Sequence, residues 1–464
     1  MFESESNALP LGDTPIFNYA IFYYFYSKKA ITITQFIIAI YFIRFEMTDM
    51  YVILQYRCKR DGYENMDLFK KCYDFDRVKK LKAVDLYPYF HASQTGQDTE
   101  MIMEGHKTIM IGSNNYLGFT SDPRVIEAGV EALKKYGSGN SGSRFLNGTL
   151  DSHIALEKEL AEFLHKEACI TMSTGFQTNL GIISAIAGRN DVILCDKENH
   201  ASIYDACRLS YAKMIRYEHN DMEDLEAKLK EIPEDKGILI VTDSVFSMTG
   251  EICNLPKLVE LKHKYGARLM LDEAHGVGVL GKCGRGAGEH FNMEDEVDII
   301  MGTFSKSFAS LGGFMAGEKD VVEYVQHCSR PFIFSASITP ASVACARKSL
   351  ELLKAEPERI QNLKNISAYM RSLLKGYGIK IIDAETPIIP IYTYNDERTF
   401  KACMMLMERG VYVNPVISPA TPPGQGLLRT SYTATHTKEQ MEYCAKQIKE
   451  VLDLLPMSDF ESNE

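Results

Sequence analysis

The sequence predicts an α/β fold: a large domain on a mainly parallel, helix-covered sheet, followed by a smaller α+β C-terminal domain. Two observations predict it. Between residues 168 and 301 short runs that are apolar throughout, not alternating, are separated by amphipathic stretches, the pattern of strands buried on both faces. After Pro340 the pattern changes to long helices and then short strands.

Taken in order, residues 1–65 differ from the rest. The runs 14–27 and 30–43 are aromatic-rich and uncharged, split by Lys28-Lys29 and closed by Arg44. Each is shorter than the roughly 20 residues a spanning helix needs, and no small-residue cleavage site follows to mark a signal peptide. The segment reads as a hydrophobic extension, with membrane-surface contact and an upstream addition before Met66 both left open. Residues 66–120 form an N-terminal segment, 121–338 the large domain and 339–464 the small one. Helical periodicity runs through 124–136 and 154–164; strands are expected at 168–172, 192–195, 237–242, 268–271 and 297–301, with covering helices at 225–229 and 255–265. Beyond Pro340 the expectation is helices at 341–354 and 360–377, then strands at 379–382, 388–394 and 427–433.

Composition narrows the function. The chain has 464 residues, 45% hydrophobic and 24% charged, ordinary for a globular protein of two domains. A net charge of -11 excludes a nucleic-acid binder, because no basic excess exists to neutralise phosphates; an anionic ligand must be met by local groups. The 11 cysteines show no C-x-x-C pair and read as reduced thiols. No P-loop, H-E-x-x-H or Cys/His metal spacing is present, and no metal is expected.

In open α/β sheets ligands bind at the carboxyl ends of the strands, and four predicted ends carry unusual residues. The first runs into Ser173-Thr174-Gly175-Phe176, whose turn opens a helix and offers free N–H groups to a phosphate. The second leads to Asn199-His200. The third ends at Asp272-Glu273-Ala274-His275-Gly276, where an acid can pair with a cationic ring nitrogen and a histidine can hold a phenolic oxygen. The fourth ends at Gly302-Thr303-Phe304-Ser305-Lys306-Ser307, a lysine that burial would bring toward neutrality. Singly these have ordinary explanations: a helix cap, a core histidine, a solvated carboxylate, a surface lysine. Together they supply one group for each part of pyridoxal 5'-phosphate (PLP): phosphate, ring face, pyridinium nitrogen and aldehyde carbon. Gly276-Val277-Gly278-Val279-Leu280-Gly281 matches a dinucleotide fingerprint, but glycines continue where its helix should begin.

These motifs resemble those of the α-oxoamine synthases, fold-type-I PLP enzymes that condense an amino acid with an acyl-CoA. The similarity covers about residues 86–454 and includes Ser113-Asn114-Asn115-Tyr116-Leu117-Gly118, the Gly/Ser run 137–144, and the Asp272 and Lys306 motifs. Stretches 145–149, 173–184, 200–210 and 330–337 are most similar to bacterial members that use serine, and 419–424 resembles their mobile substrate loop. The resemblance implies decarboxylative condensation of L-serine with palmitoyl-CoA to 3-ketodihydrosphingosine by a cytoplasmic homodimer. Lys306 would be the Schiff-base lysine that also removes the Cα proton, Asp272 the partner of the pyridinium nitrogen, and His200 the ring-stacking group. His275 and Ser247 would lie near the phenolic oxygen, and Gly175, Phe176 and Thr303 along phosphate and ring. Arg429 would bind the substrate carboxylate with Asn114, and Thr421 of the loop would also contact substrate. Rivals within the family use glycine or alanine; rivals outside it are a non-catalytic subunit and a membrane scaffold. The extension up to about Asn65 departs from the bacterial pattern, and eukaryotic relatives carry a membrane anchor, so association with the inner membrane face belongs to the same expectation.

Overall fold

In β4 (Asp191–Asp196), Val192 and Leu194 pack into one apolar cluster while Ile193 and Cys195 pack into another on the opposite face. Successive strand side chains point to opposite faces, so a run apolar throughout means a sheet covered on both sides. The computed structural model describes residues 67–418 and 420–460; the extension 1–65 lies outside them. The chain divides into two units, Met1–Lys80 and Leu81–Glu464. Of the first, the described part holds a helical turn at Lys70–Tyr73.

The second unit opens with a hairpin, β1 (Glu100–Met103) and β2 (His106–Met110), turned by Glu104 and Gly105, both at positive φ. Then come β3 (Ala168–Met172), β4, β5 (Lys213–Tyr217), β6 (Gly237–Asp243), β7 (Arg268–Asp272), β8 (Ile299–Thr303) and β9 (Gly313–Gly317). They form one seven-stranded sheet in the order β3-β9-β8-β7-β6-β4-β5. Only β9 runs antiparallel to its neighbours, so the carboxyl ends of β3, β8, β7, β6 and β4 share one edge. A three-stranded sheet of β10 (Ile388–Tyr394), β12 (Asn414–Val416) and β13 (Gly426–Ser431) packs with helices Glu358–Gly376 and Lys438–Leu454 around a third cluster; β11 (Val411–Tyr412) joins β1 and β2.

The expected helices are present at Pro123–Tyr136, Asp151–Phe163, Met222–Lys230, Leu255–Tyr265, Pro340–Ala355 and Glu358–Gly376. Two expectations change, and two strands were not expected. The strand at 379–382 reduces to a single bridge between Ile381 and Ile391. The strand expected at 297–301 lies two residues later, because Gly302 and Thr303 continue the ladder against Phe314 and Gly313 of β9. β5 and β9 carry weak signals: β5 is a charged edge strand and β9 reads Gly-Phe-Met-Ala-Gly.

Gly302 is required by that last pairing. A Cβ there would stand 2.2 Å from the Phe314 ring, itself fully buried. Overpacking of this kind costs about 1–3 kcal/mol, so Gly302→Ala should lower the unfolding free energy by that amount, read as a lower urea midpoint at unchanged slope; a parental midpoint would show that the ring yields freely.

Candidate active site

The five carboxyl ends meet around a cavity of about 260 Å³. At the end of β3, Thr174 caps helix Gly175–Ile186 by accepting from the Gln177 N–H at 3.1 Å. Gly175 packs on the end of β8, where a Cβ would stand 2.9 Å from Thr303 Oγ1, so the helix can begin this close to the strand only with glycine. Its first-turn amides point out of the helix N-terminus unused by the helix itself. Phe176 is exposed beside them, and Thr303 Oγ1 donates to the Gly312 carbonyl at 2.9 Å.

Asp272 ends β7, buried, with Oδ1 accepting from the Ala274 N–H (2.9 Å) and Oδ2 from Asn179 Nδ2 (2.7 Å). It forms no ion pair with a protein cation among the described residues. His200 caps helix Ala201–Leu209, and its backbone N–H donates to Asp243 Oδ2 at 3.1 Å. Burial and the neighbouring Asp272 charge push the Asp243 carboxyl well above the usual range, and its Oδ1 has no hydrogen-bond partner. His275 is buried against Tyr116, Nδ1 to Oη 2.6 Å. Burial and the nearby cations Lys306 and Arg429 keep its imidazole far below the ordinary histidine value, hence neutral. Burial lifts the Tyr116 phenol to about 12.

Lys306 follows β8 and lines the cavity; burial lowers its amine to about 8 against the opposing pull of Asp272 and Asp243. Arg429, in the middle of β13, donates from Nε to the Ser247 carbonyl (2.6 Å) and from Nη2 to Asn114 Oδ1 (3.0 Å). The segment carrying Asn114 is clasped in turn, Asn414 Nδ2 donating to the Gly112 carbonyl at 2.6 Å.

Of the residues the sequence singled out, Gly175, Phe176, His200, Ser247, Asp272, His275, Thr303 and Lys306 all line the cavity, and Asn114 and Arg429 join it through Ser247. Thr421, in the connection from β12 to β13, does not line it; its side chain is buried with its hydroxyl unpartnered. Asn179, Ser202 and Asp243 line the cavity unanticipated; of these, Asp243 had a legible signal as an acid closing an apolar strand.

Residues 106–448 match the family model for aminotransferase class I and II. A serine palmitoyltransferase of Sphingobacterium spiritivorum is 52% identical over 81% of this chain and 94% of its own length. An 8-amino-7-oxononanoate synthase of Thermoanaerobacter pseudethanolicus is 37% identical over 81% of this chain and 95% of its own. A solved structure of serine palmitoyltransferase with PLP superposes with a TM-score of 0.82 at 36% identity, covering 84% of this chain and 99% of that one. The chain belongs to the α-oxoamine synthases, within the aminotransferase class I and II family.

The cofactor of this α-oxoamine synthase is PLP, and the donor set fits it. Asp272 is a buried carboxylate without a protein cation, which a protonated ring nitrogen would complete. Helix amides, Thr303 and Ser305 suit a phosphate, and the depressed lysine suits an aldehyde. Because the Lys306 amine sits near about 8, its neutral, nucleophilic form gains above that pH and its ammonium below. Protein stripped of cofactor should therefore capture PLP at a rate that rises with pH through a midpoint of about 8, read by stopped-flow absorbance. A midpoint at the ordinary lysine value of about 10.4 would contradict the effect of burial.

Proposed function

We propose that the chain catalyses the decarboxylative condensation of L-serine with palmitoyl-CoA, releasing CoA and CO2 and yielding 3-ketodihydrosphingosine. The observation that carries the amino-acid half is Arg429: a buried guanidinium that makes no ion pair among the described residues and reaches the cavity through Ser247. A buried charge without a partner is costly, and a planar guanidinium suits a carboxylate fork. Asn114 holds one of its nitrogens, fixing the fork's direction.

PLP, when bound, supplies a protonated ring that takes up the negative charge developing at the substrate Cα. Asp272 would hold the ring nitrogen, His200 the ring face, His275 with Ser247 the phenolic side, and Gly175, Phe176 and Thr303 the phosphate side. Lys306, with an amine near about 8, can take a proton from Cα and return it at neutral pH. Tyr116 keeps His275 oriented while burial and the nearby cations keep it uncharged, so the carboxylate meets Arg429 as the dominant cation beside it.

Serine is favoured over glycine or alanine by the higher identity to serine palmitoyltransferases than to 8-amino-7-oxononanoate synthases, 52% against 37%. The readout that separates them is which amino acid shifts the visible spectrum of the holoenzyme and which ketone mass spectrometry finds. A homodimer is supported by a large apolar exposure near the Gly/Ser run: Phe145 at 50%, Leu146 at 77% and Phe334 at 74%. The segments bearing them are tied by the Ser337 N–H donating to the Gly142 carbonyl at 3.1 Å. A cytoplasmic enzyme touching the inner membrane face through residues 1–65 is the accompanying reading, supported by the apolar runs there; no helix among the described residues is long and apolar enough to cross a membrane.

Losing the charged partner of a buried carboxylate costs about 2–4 kcal/mol. Arg429→Ala should therefore weaken serine binding roughly thirtyfold to a thousandfold while PLP stays bound; equal serine affinity would remove Arg429 from the site. A chain beginning at Met66 should turn over serine and palmitoyl-CoA at near full rate without detergent. Loss of turnover with PLP retained would instead assign residues 1–65 to recruiting the lipid substrate.

A further inference from the structure

We propose that Asn179 is a positioning residue that locks Asp272 and His200 into one unit through the Ser202 hydroxyl. The inference rests on the roles proposed above for Asp272 and His200. Asn179 lies inside helix Gly175–Ile186, 1% exposed, and Ser202 inside helix Ala201–Leu209, also 1% exposed. The amide nitrogen donates to Asp272 Oδ2 at 2.7 Å and to Ser202 Oγ at 2.9 Å. A carboxylate accepts only, so the atom facing Asp272 must be nitrogen. Asn179 Oδ1 has no donor among the described residues, so the two donated bonds set the amide's orientation.

Ser202 Oγ, having accepted from Asn179, has its own hydrogen to give, and His200 Nδ1 stands 2.7 Å away. The Ser202 backbone N–H also points to Nδ1, at 3.3 Å. Nδ1 is thus an acceptor, which leaves the imidazole neutral with its hydrogen on Nε2. The charged and titratable groups around the unit are Asp243, which accepts from the His200 N–H at 3.1 Å, and Lys306, which disfavours a charged His200.

One planar amide therefore fixes the angle between the carboxylate that meets the ring nitrogen and the imidazole that meets the ring face. Asp272 is held at both oxygens, by Asn179 and by the Ala274 N–H, so it cannot turn without breaking a charge-assisted bond.

The test uses holoenzyme variants Asn179→Ala, Ser202→Ala, the double variant and Asp272→Ala, measured by PLP dissociation constant and by visible circular dichroism of the bound cofactor. Asn179→Ala should weaken PLP binding roughly tenfold to a hundredfold and diminish the dichroism. Ser202→Ala should change the dichroism while leaving PLP affinity within about twofold, because the bond from Asn179 to Asp272 survives. The double variant should lose no more dichroism than Asn179→Ala alone, since both act along one chain of bonds. Additive losses overturn the proposal. So does an Asn179→Ala protein that melts earlier yet keeps parental affinity and dichroism. If Asn179→Ala does not fold, Ser202→Ala decides: an unchanged dichroism overturns the proposal. Asp272→Ala separates the layers. If it retains PLP at parental affinity, the role of Asp272 fails; if it releases PLP while Asn179→Ala does not, only the positioning role fails.

Discussion

The register of β7 between β6 and β8 is the constraint on which the site depends. Asp272 pairs with Asp243 on one side and with Met301 on the other, which brings two acids together at one edge and sets the lysine loop beside them. A slip of one residue would turn Asp272 to the other face of the sheet and exchange it for Leu271. Leu269 and Leu271 fill one apolar cluster and Met270 the other, so such a slip would have to repack both. Burial of the strand on both faces, which looks like a matter of stability, is what aims the carboxylate.

Around that point the protein solves an electrostatic problem locally. Its net charge of -11 gives no general attraction for an anionic cofactor or a substrate carboxylate. Helix amides at Gly175, the Lys306 amine and the Arg429 guanidinium supply the positive character where it is needed, while His275 is kept uncharged by burial and by the cations near it. Glu273, next to Asp272, is fully buried and raised to about 7 by burial, its Oε1 accepting from the Ala287 N–H at 2.7 Å. Two adjacent acids thus meet opposite surroundings: Asp272 is held by two donors beside a lysine, and Glu273 is folded under a glycine-rich loop.

Much of this was legible in the sequence because strand ends announce themselves. Asp272, Lys306 and His200 each follow an apolar run, and polar residues there have few uses in packing. Asn179 and Ser202 were not legible: each sits inside a helix, and their meaning arises only when residues 23 and 93 positions apart come together. β9 was missed for a local reason, as Gly-Phe-Met-Ala-Gly carries no β-branched residue. That omission also misplaced the end of β8, since its last two residues are strand only because β9 pairs with them. Thr421 shows what a motif leaves open without geometry: the resemblance placed it with the substrate, and its buried side chain, in the connection from β12 to β13, is not among those lining the cavity.

The single antiparallel strand has a bearing on motion. β8 and β9 are neighbours joined by the short connection 304–312 that carries Lys306, and both are interior strands, flanked by β7 and β3. Loops that bind ligands are usually drawn from the parts of a protein that open most easily. Here the reactive lysine sits on a connection whose two ends are sewn into the middle of the sheet, with Ser310 N–H donating to the Phe304 carbonyl and Ser307 Oγ to the Val277 carbonyl. Both strands that the connection joins are paired on two sides, so the backbone that aims Lys306 is anchored at each end. Substrate-driven rearrangement must then fall to the walls of the cavity, while its floor stays fixed.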